Sequence, residues 1–124
     1  PLVYARMLDE KMKKHRTNCW IINTGLCGGP WGVGKRISIK LTREILDFAL
    51  NFKDGQSEFI KDNVFGFEIP QIPYIDKNLL NPRSSWKNAS DYDLKYKELA
   101  YMFKKNFERF KIDDKDIING GPLI

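Results

Sequence analysis

Residues 18–43 are the most informative part of the chain and read NCWIINTGLCGGPWGVGKRISIKLTR. The apolar run at 18–23 is typical of a buried β-strand. Residues 24–34 hold five glycines and one proline, a composition that predicts a loop. Residues 36–40 alternate polar and apolar side chains, as an extended segment does. We therefore predict an α/β protein in which a glycine-rich loop follows a strand and precedes a helix.

Apolar side chains recur at helical spacing in three parts of the chain. The first helix is predicted at residues 2–15, and the second begins near Leu41 and is closed by a left-handed cap at Gly55. The third is predicted to begin at Ser90, whose hydroxyl can accept from the amide of Asp93. The predicted buried faces are Tyr4, Leu8 and Met12 in the first helix, Leu41, Ile45, Phe48, Ala49 and Phe52 in the second, and Tyr92, Tyr96, Leu99, Phe103, Phe107 and Phe110 in the third.

Two further strands are predicted at 58–61 and 64–69, joined as a hairpin around residues 62–63. Three prolines then predict a long irregular connection. Together with the buried strand, these elements predict a mixed sheet flanked by helices in a single domain, residues 1–124. A lone buried strand needs neighbours, and helical spacing begins immediately after Pro1, which is not an initiator. We therefore expect the chain to be a fragment of a longer one.

Composition excludes several classes of protein. The chain is 42% hydrophobic and 13% aromatic, which is too apolar for disorder. No uninterrupted apolar run exceeds five residues, so no membrane span and no signal segment are predicted. Cys19, Cys27 and the single histidine, His15, supply at most three metal ligands. A structural zinc site needs about four at paired spacing, so no zinc site is predicted. We expect a buried Cys19, free thiols, a reducing compartment and a solvated His15 at the end of the first helix.

The glycine loop matches the spacing of a phosphate-binding Walker A loop from Gly29 to Lys35. Pro30 argues against that function because it lacks one of the backbone N–H groups that cradle phosphate. Arg36 stands where a hydroxyl would hold Mg²⁺, and its charge about 4 Å from the ion would cost several kcal/mol. Arg36, the main chain at Ile37 and Thr42 are instead candidates to line a nucleobase pocket. Spacing alone favours the alternative, a glycine-rich connection whose arginine pairs with a carboxylate.

A family resemblance runs through most of the chain. Its central motifs are NTG at 23–25 and GKRISIKLTR at 34–43. The other matching positions are Tyr4-Ala5, Leu8, Lys11-Met12, Val64-Phe65-Gly66, Asn81-Pro82-Arg83, Trp86, Leu99-Ala100, Phe103, Asn106-Phe107 and Gly121-Pro122. In these motifs the sequence resembles the ATP-dependent phosphoenolpyruvate carboxykinases. It departs from them at Leu26 and Cys27, where many members carry a tryptophan and a small polar residue.

The resemblance implies the carboxy-terminal part of a mononucleotide-binding domain. It implies a parent enzyme, a cytoplasmic lyase of gluconeogenesis, that converts oxaloacetate and ATP to phosphoenolpyruvate, CO₂ and ADP with Mg²⁺ and Mn²⁺. The family's ATP-contacting positions in this region correspond to Arg36, Ile37 and Thr42. Its phosphate loop, metal ligands and oxaloacetate-binding arginines lie outside these 124 residues. We therefore expect no catalytic or metal-binding residue here, an inactive isolated chain, and the rest of the parent chain as its partner.

Two other classes of function remain open. The first is an independent P-loop NTPase, which would require Arg36 to be tolerated beside Mg²⁺. The second is a basic module that binds nucleic acid, since the formal net charge is +5. The basic residues form two clusters, Lys11, Lys13, Lys14 and Arg16, and Lys35, Arg36, Lys40 and Arg43. Acidic residues are mixed through the chain, so we expect no nucleic-acid partner.

Overall fold

The computed structural model describes residues 2–124, and it contains helices and small sheets, which confirms the α/β class. In chain order the elements are α1 (Leu2–His15), β1 (Leu26–Cys27), β2 (Lys35–Arg36), α2 (Ile39–Leu50), β3 (Phe59–Lys61), β4 (Glu68–Pro70), α3 (Lys77–Leu80), α4 (Pro82–Ser85), α5 (Ala89–Glu108) and α6 (Lys115–Asn119). No helix within the described residues is long and apolar enough to cross a membrane.

The strands form two separate antiparallel pairs, β1–β2 and β3–β4. The single mixed sheet predicted from the sequence is therefore not formed by residues 2–124. The predicted strand at 18–23 is not formed within residues 2–124, where this segment pairs with no other strand; its neighbours were expected in sequence outside this chain. Cys19 is exposed rather than buried.

The core lies between α2 and the connection that follows β4. Phe48, Ile72 and Ile75 are buried at its centre. Trp20 packs its ring edge-to-face on Phe48 and Phe52, with centroids 5.9 and 5.2 Å away. The partly buried side chains around this centre are Trp20, Leu41, Ile45, Phe52, Leu79 and Leu80. The predicted buried face of α2 is thus largely correct, and the connection predicted as irregular supplies core residues and two short helices.

Helix α2 begins and ends earlier than predicted. Ser38 caps its start, since its hydroxyl accepts from the amide of Leu41 at 3.2 Å. Asn51 ends the helix by donating from both its backbone and its side-chain amide to the carbonyl of Asp47. Gly55 has a positive φ of 81°, but it lies in the following turn and does not cap the helix. The predicted cap at Gly55 is therefore wrong.

Helix α5 begins at Ala89, and its cap is Asn88 rather than the predicted Ser90. The Asn88 side-chain oxygen accepts from the amide of Ser90 at 3.0 Å. Ala100 is the fully buried residue of the helix, at 0% exposure. The predicted aromatic face is buried only in part, because Phe103 remains 55% exposed and Phe110 remains 47% exposed.

The predicted hairpin of β3 and β4 is confirmed, with Ile60 opposite Ile69. Its turn is longer than expected, and the second strand begins at Glu68 instead of residue 64. The turn is organised by the Asp62 carboxylate, which accepts from the amides of Val64 and Phe65. Helix α1 has its predicted bounds but no buried residue, so the core face predicted for it is wrong within the described chain.

Candidate functional site

The glycine loop is the tip of a short β-hairpin rather than a strand-to-helix connection. Strand β1 pairs antiparallel with β2, placing Leu26 opposite Arg36 and Cys27 opposite Lys35. The amide of Ile37 extends the pairing by donating to the carbonyl of Gly25 at 3.1 Å. The hairpin fixes the main chain on both sides of Arg36.

The tip of the hairpin is closed by its own backbone. The amides of Val33 and Gly34 both donate to the carbonyl of Pro30, at 3.0 and 2.9 Å. A Cβ at Gly34 would stand 2.6 Å from the carbonyl oxygen of Gly29, so only glycine fits there without a backbone shift. Two N–H groups that a phosphate cradle would need are therefore already used within the loop.

The structural context also differs from that of a phosphate loop. In a Walker A motif the helix begins at the lysine, so the positive end of its dipole faces the phosphate. Here Lys35 and Arg36 are strand residues, and α2 begins only at Ile39. The helix start is thus separated from Lys35 and makes no phosphate-binding arrangement with it.

Arg36 is exposed and has no ion-pair partner within residues 2–124. The alternative function of the loop, a connection whose arginine pairs with a carboxylate, would require such a partner. Within the described residues no carboxylate holds the Arg36 side chain. An unpaired guanidinium offers a planar cation that stacks on aromatic rings and donates hydrogen bonds.

The other two predicted site residues lie just beyond β2. Ile37 is half-buried, and because its amide is bonded to Gly25, its carbonyl is the main-chain group left for a ligand. Thr42 is half-buried in the first turn of α2, where its amide donates to the carbonyl of Ser38 at 2.9 Å. Both residues follow Arg36 closely along the chain.

The three predicted site residues lie outside two cavities formed by neighbouring elements. One cavity, of about 690 Å³, lies between the hairpin tip and the start of α5. A second, of about 800 Å³, lies between the β3–β4 hairpin and helices α3 to α5. Arg36, Ile37 and Thr42 line neither of them. Of the three residues, Arg36 is exposed, and Ile37 and Thr42 are half-buried.

The hairpin is attached to α4 by a contact that the sequence did not reveal. The Cys27 Sγ lies 3.4 Å from the Ser85 Oγ, and the pair is partly buried. The two residues are 58 positions apart, so no local pattern connects them. Gly28 lies against the carbonyl of Ser85, which a Cβ there would meet at 3.6 Å. The hairpin is thereby joined to the region that precedes α5.

Charged groups and tyrosines cluster around the second cavity. Arg83 donates two hydrogen bonds, at 2.8 and 2.9 Å, to the Asp93 carboxylate. Hydrogen bonding from this guanidinium holds the pKa of Asp93 below its usual value. Burial raises the pKa of the Tyr96 phenol, and the neighbouring Asp62 carboxylate adds to the shift. The Arg83–Asp93 pair links α4 to α5, and all of these groups lie outside the predicted site.

A divalent metal ion does not fit the donor set of this segment. Within residues 2–124 no three His, Cys, Asp or Glu side chains are grouped so that they could hold an ion. His15 is exposed at the end of α1, as predicted. Cys19 and Cys27 are both free thiols.

Comparison with known proteins gives a consistent set of similarities. Residues 1–78 match the sequence profile of the family described as phosphoenolpyruvate carboxykinase. Relatives named phosphoenolpyruvate carboxykinase (ATP) are 44% identical in Christiangramia forsetii, 42% in Caldanaerobacter subterraneus and 40% in Thermus thermophilus. The matches cover 98–99% of the chain. They cover 23–24% of the relatives, so the chain spans about a quarter of their length.

Proposed function

The chain belongs to the phosphoenolpyruvate carboxykinase (ATP) family, and from this premise we propose that it supplies the adenine-binding part of such an enzyme. The intact enzyme converts oxaloacetate and ATP to phosphoenolpyruvate, CO₂ and ADP, a step of gluconeogenesis in the cytoplasm. This chain is then the carboxy-terminal portion of the nucleotide-binding domain. The remaining parent chain is its partner.

The observation that carries the proposal is the state of Arg36. Its guanidinium is exposed at the end of a hairpin and makes no ion pair within residues 2–124. A planar cation of this kind favours the π-face of a nucleobase. The carbonyl of Ile37 can accept from an exocyclic amino group, and the Thr42 hydroxyl can donate or accept at the base edge. These groups together suit adenine.

The same hairpin is poorly suited to the triphosphate. Two tip amides are used by the carbonyl of Pro30, and no helix begins at Lys35. Arg36 would also repel a divalent ion at the position of the Walker hydroxyl. We infer that the phosphates are held by residues outside this chain.

Metal binding and catalysis are assigned to the rest of the parent enzyme. The described residues offer no metal-ligand group, so no step that uses Mg²⁺ or Mn²⁺ is placed on them. The isolated chain should therefore be inactive, while the intact enzyme uses ATP together with both metal ions.

Steady-state kinetics of the intact enzyme tests the proposal. Arg36→Ala should raise the KM for ATP about tenfold, because a desolvated cation–π contact contributes about 1–2 kcal/mol. The KM for oxaloacetate should change less than about twofold, since the guanidinium lies at the base and not at the reacting groups.

The matched control is Arg109→Ala. Arg109 follows the last residue of α5 and is also exposed, and its guanidinium bonds to the Asn106 side chain in the last turn of that helix. This variant should leave both Michaelis constants unchanged. An equal rise in both constants for Arg36→Ala would reject the assignment of Arg36 to the base.

A further inference from the structure

We propose that Cys27 is a positioning residue that fixes the glycine hairpin by donating its thiol hydrogen to Ser85, and thereby sets the affinity for the nucleotide at Arg36. The proposal rests on the proposed function, because it assigns a determinant of affinity to the same site. It concerns a contact between two parts of the chain that are distant in sequence.

The direction of the hydrogen bond follows from the number of available protons. The Ser85 hydroxyl donates to the carbonyl of Pro82 at 2.7 Å. A serine hydroxyl carries a single hydrogen, so toward Cys27 it acts as an acceptor. The thiol of Cys27 is then the donor across the 3.4 Å separation. The contact therefore requires a hydrogen on the sulfur and an oxygen on Ser85.

The strand register transmits this contact to the base site. Cys27 is paired with Lys35, the neighbour of Arg36, and Leu26 is paired with Arg36 itself. In a two-residue ladder, a displacement of Cys27 moves the opposite strand with it. Beyond the ladder, the amide of Ile37 holds the same two chain segments together through Gly25. Arg36 and Ile37 are therefore placed relative to α4 through Cys27.

The contact is better suited to positioning than to stabilising the fold. A thiol is a weak donor, so its loss should cost less than a typical hydrogen bond and leave the chain folded. The partly buried location limits competition from water. The expected result of losing it is a wider range of hairpin orientations and weaker nucleotide binding.

The test is a set of variants of the intact enzyme. Cys27→Ala and Ser85→Ala should each raise the KM for ATP about threefold to fivefold, with kcat and the KM for oxaloacetate within about twofold of wild type. The double variant should be no worse than Ser85→Ala, because that single variant already removes the shared contact together with the hydrogen bond to the Pro82 carbonyl. Cys27→Ser restores a donor and should recover part of the affinity. Cys19→Ala is the matched control, since Cys19 is the other free thiol and is exposed.

The outcomes separate this inference from the function on which it rests. If Arg36→Ala raises the KM for ATP but Cys27→Ala and Ser85→Ala do not, the positioning role is wrong and the base site stands. If Arg36→Ala has no effect, both proposals fail. Additive effects of the Cys27 and Ser85 variants would also overturn the contact. Should Cys27→Ala not fold, Ser85→Ala alone carries the same expectation, because it removes the acceptor without changing the hairpin.

Discussion

At the scale of single residues, Arg36 shows what the sequence can and cannot determine. Charge and position alone exclude a metal-holding hydroxyl there, and this conclusion needs no coordinates. The sequence does not reveal that the amides of Val33 and Gly34 bond to the carbonyl of Pro30, because that depends on the turn geometry. It also leaves open whether Arg36 pairs with a carboxylate. Within residues 2–124 it does not.

Among the glycines of the hairpin tip, Gly34 leaves the least space for a side chain. A Cβ there would be 2.6 Å from the Gly29 carbonyl oxygen, a backbone atom that moves only with the loop. Gly34→Ala should therefore open the tip at a cost of about 1–3 kcal/mol and raise the KM for ATP in the intact enzyme.

Gly25→Ala is the control for this change. Its Cβ would meet only the Asn23 side chain, at 3.1 Å, and that side chain can rotate away at the loss of one exposed hydrogen bond from the Gly25 amide. The Gly25 variant should retain wild-type kinetics. Wild-type kinetics for Gly34→Ala would show that the tip is more adaptable than the close approach implies.

At the scale of helices and strands, a periodic pattern of apolar residues predicts that an element is present better than it predicts where the element begins and ends. Helices α1, α2 and α5 were all expected, because apolar spacing extends over several turns. The caps were not, since Asn88 and Ser90 are both good capping residues and only the backbone conformation selects between them. The strand expected at 18–23 does not form within residues 2–124, where Trp20 of this apolar run is partly buried by side-chain packing and Ile21 is exposed.

The cap of α5 can be tested by substitution. Asn88→Ala should destabilise the first turn by about 1 kcal/mol, because it removes the acceptor for the amide of Ser90. Amide hydrogen exchange in the intact protein should show faster exchange at Ser90 and its neighbours. Ser90→Ala is the control and should change exchange little. The opposite ranking of the two variants would restore Ser90 as the cap.

At the scale of the whole molecule, the chain covers little of its apolar surface. Its accessible surface is 10406 Å², whereas a folded monomer of its 14.5 kDa mass should expose about 6,900 Å². Within residues 2–124 four hydrophobic residues are buried, and large side chains such as Tyr4, Ile21 and Met102 are more than half exposed. This excess of accessible surface area is comparable to the area that is buried in an obligate protein–protein interface. We infer that the remaining parent chain covers this exposed apolar surface. The pattern of apolar residues in the sequence does not by itself show that the surface is uncovered in this chain.

This surface predicts a difference between the isolated chain and the intact protein. The isolated chain should bind a hydrophobic dye strongly, and light scattering should show that it self-associates. The reason is that large exposed apolar patches favour binding and association in water. The intact protein should do neither. A monodisperse monomer of the isolated chain that fails to bind the dye would contradict the inference.

The central claim is that the hairpin recognises the base and leaves the phosphates to other parts of the enzyme. It is tested most directly by calorimetric titration of the intact protein, wild type and Arg36→Ala, with ATP and with inorganic tripolyphosphate at equal metal concentration. We predict that the substitution weakens ATP about tenfold and changes the Kd for tripolyphosphate less than about twofold. Equal weakening of both ligands would place the guanidinium at the phosphates and contradict the account.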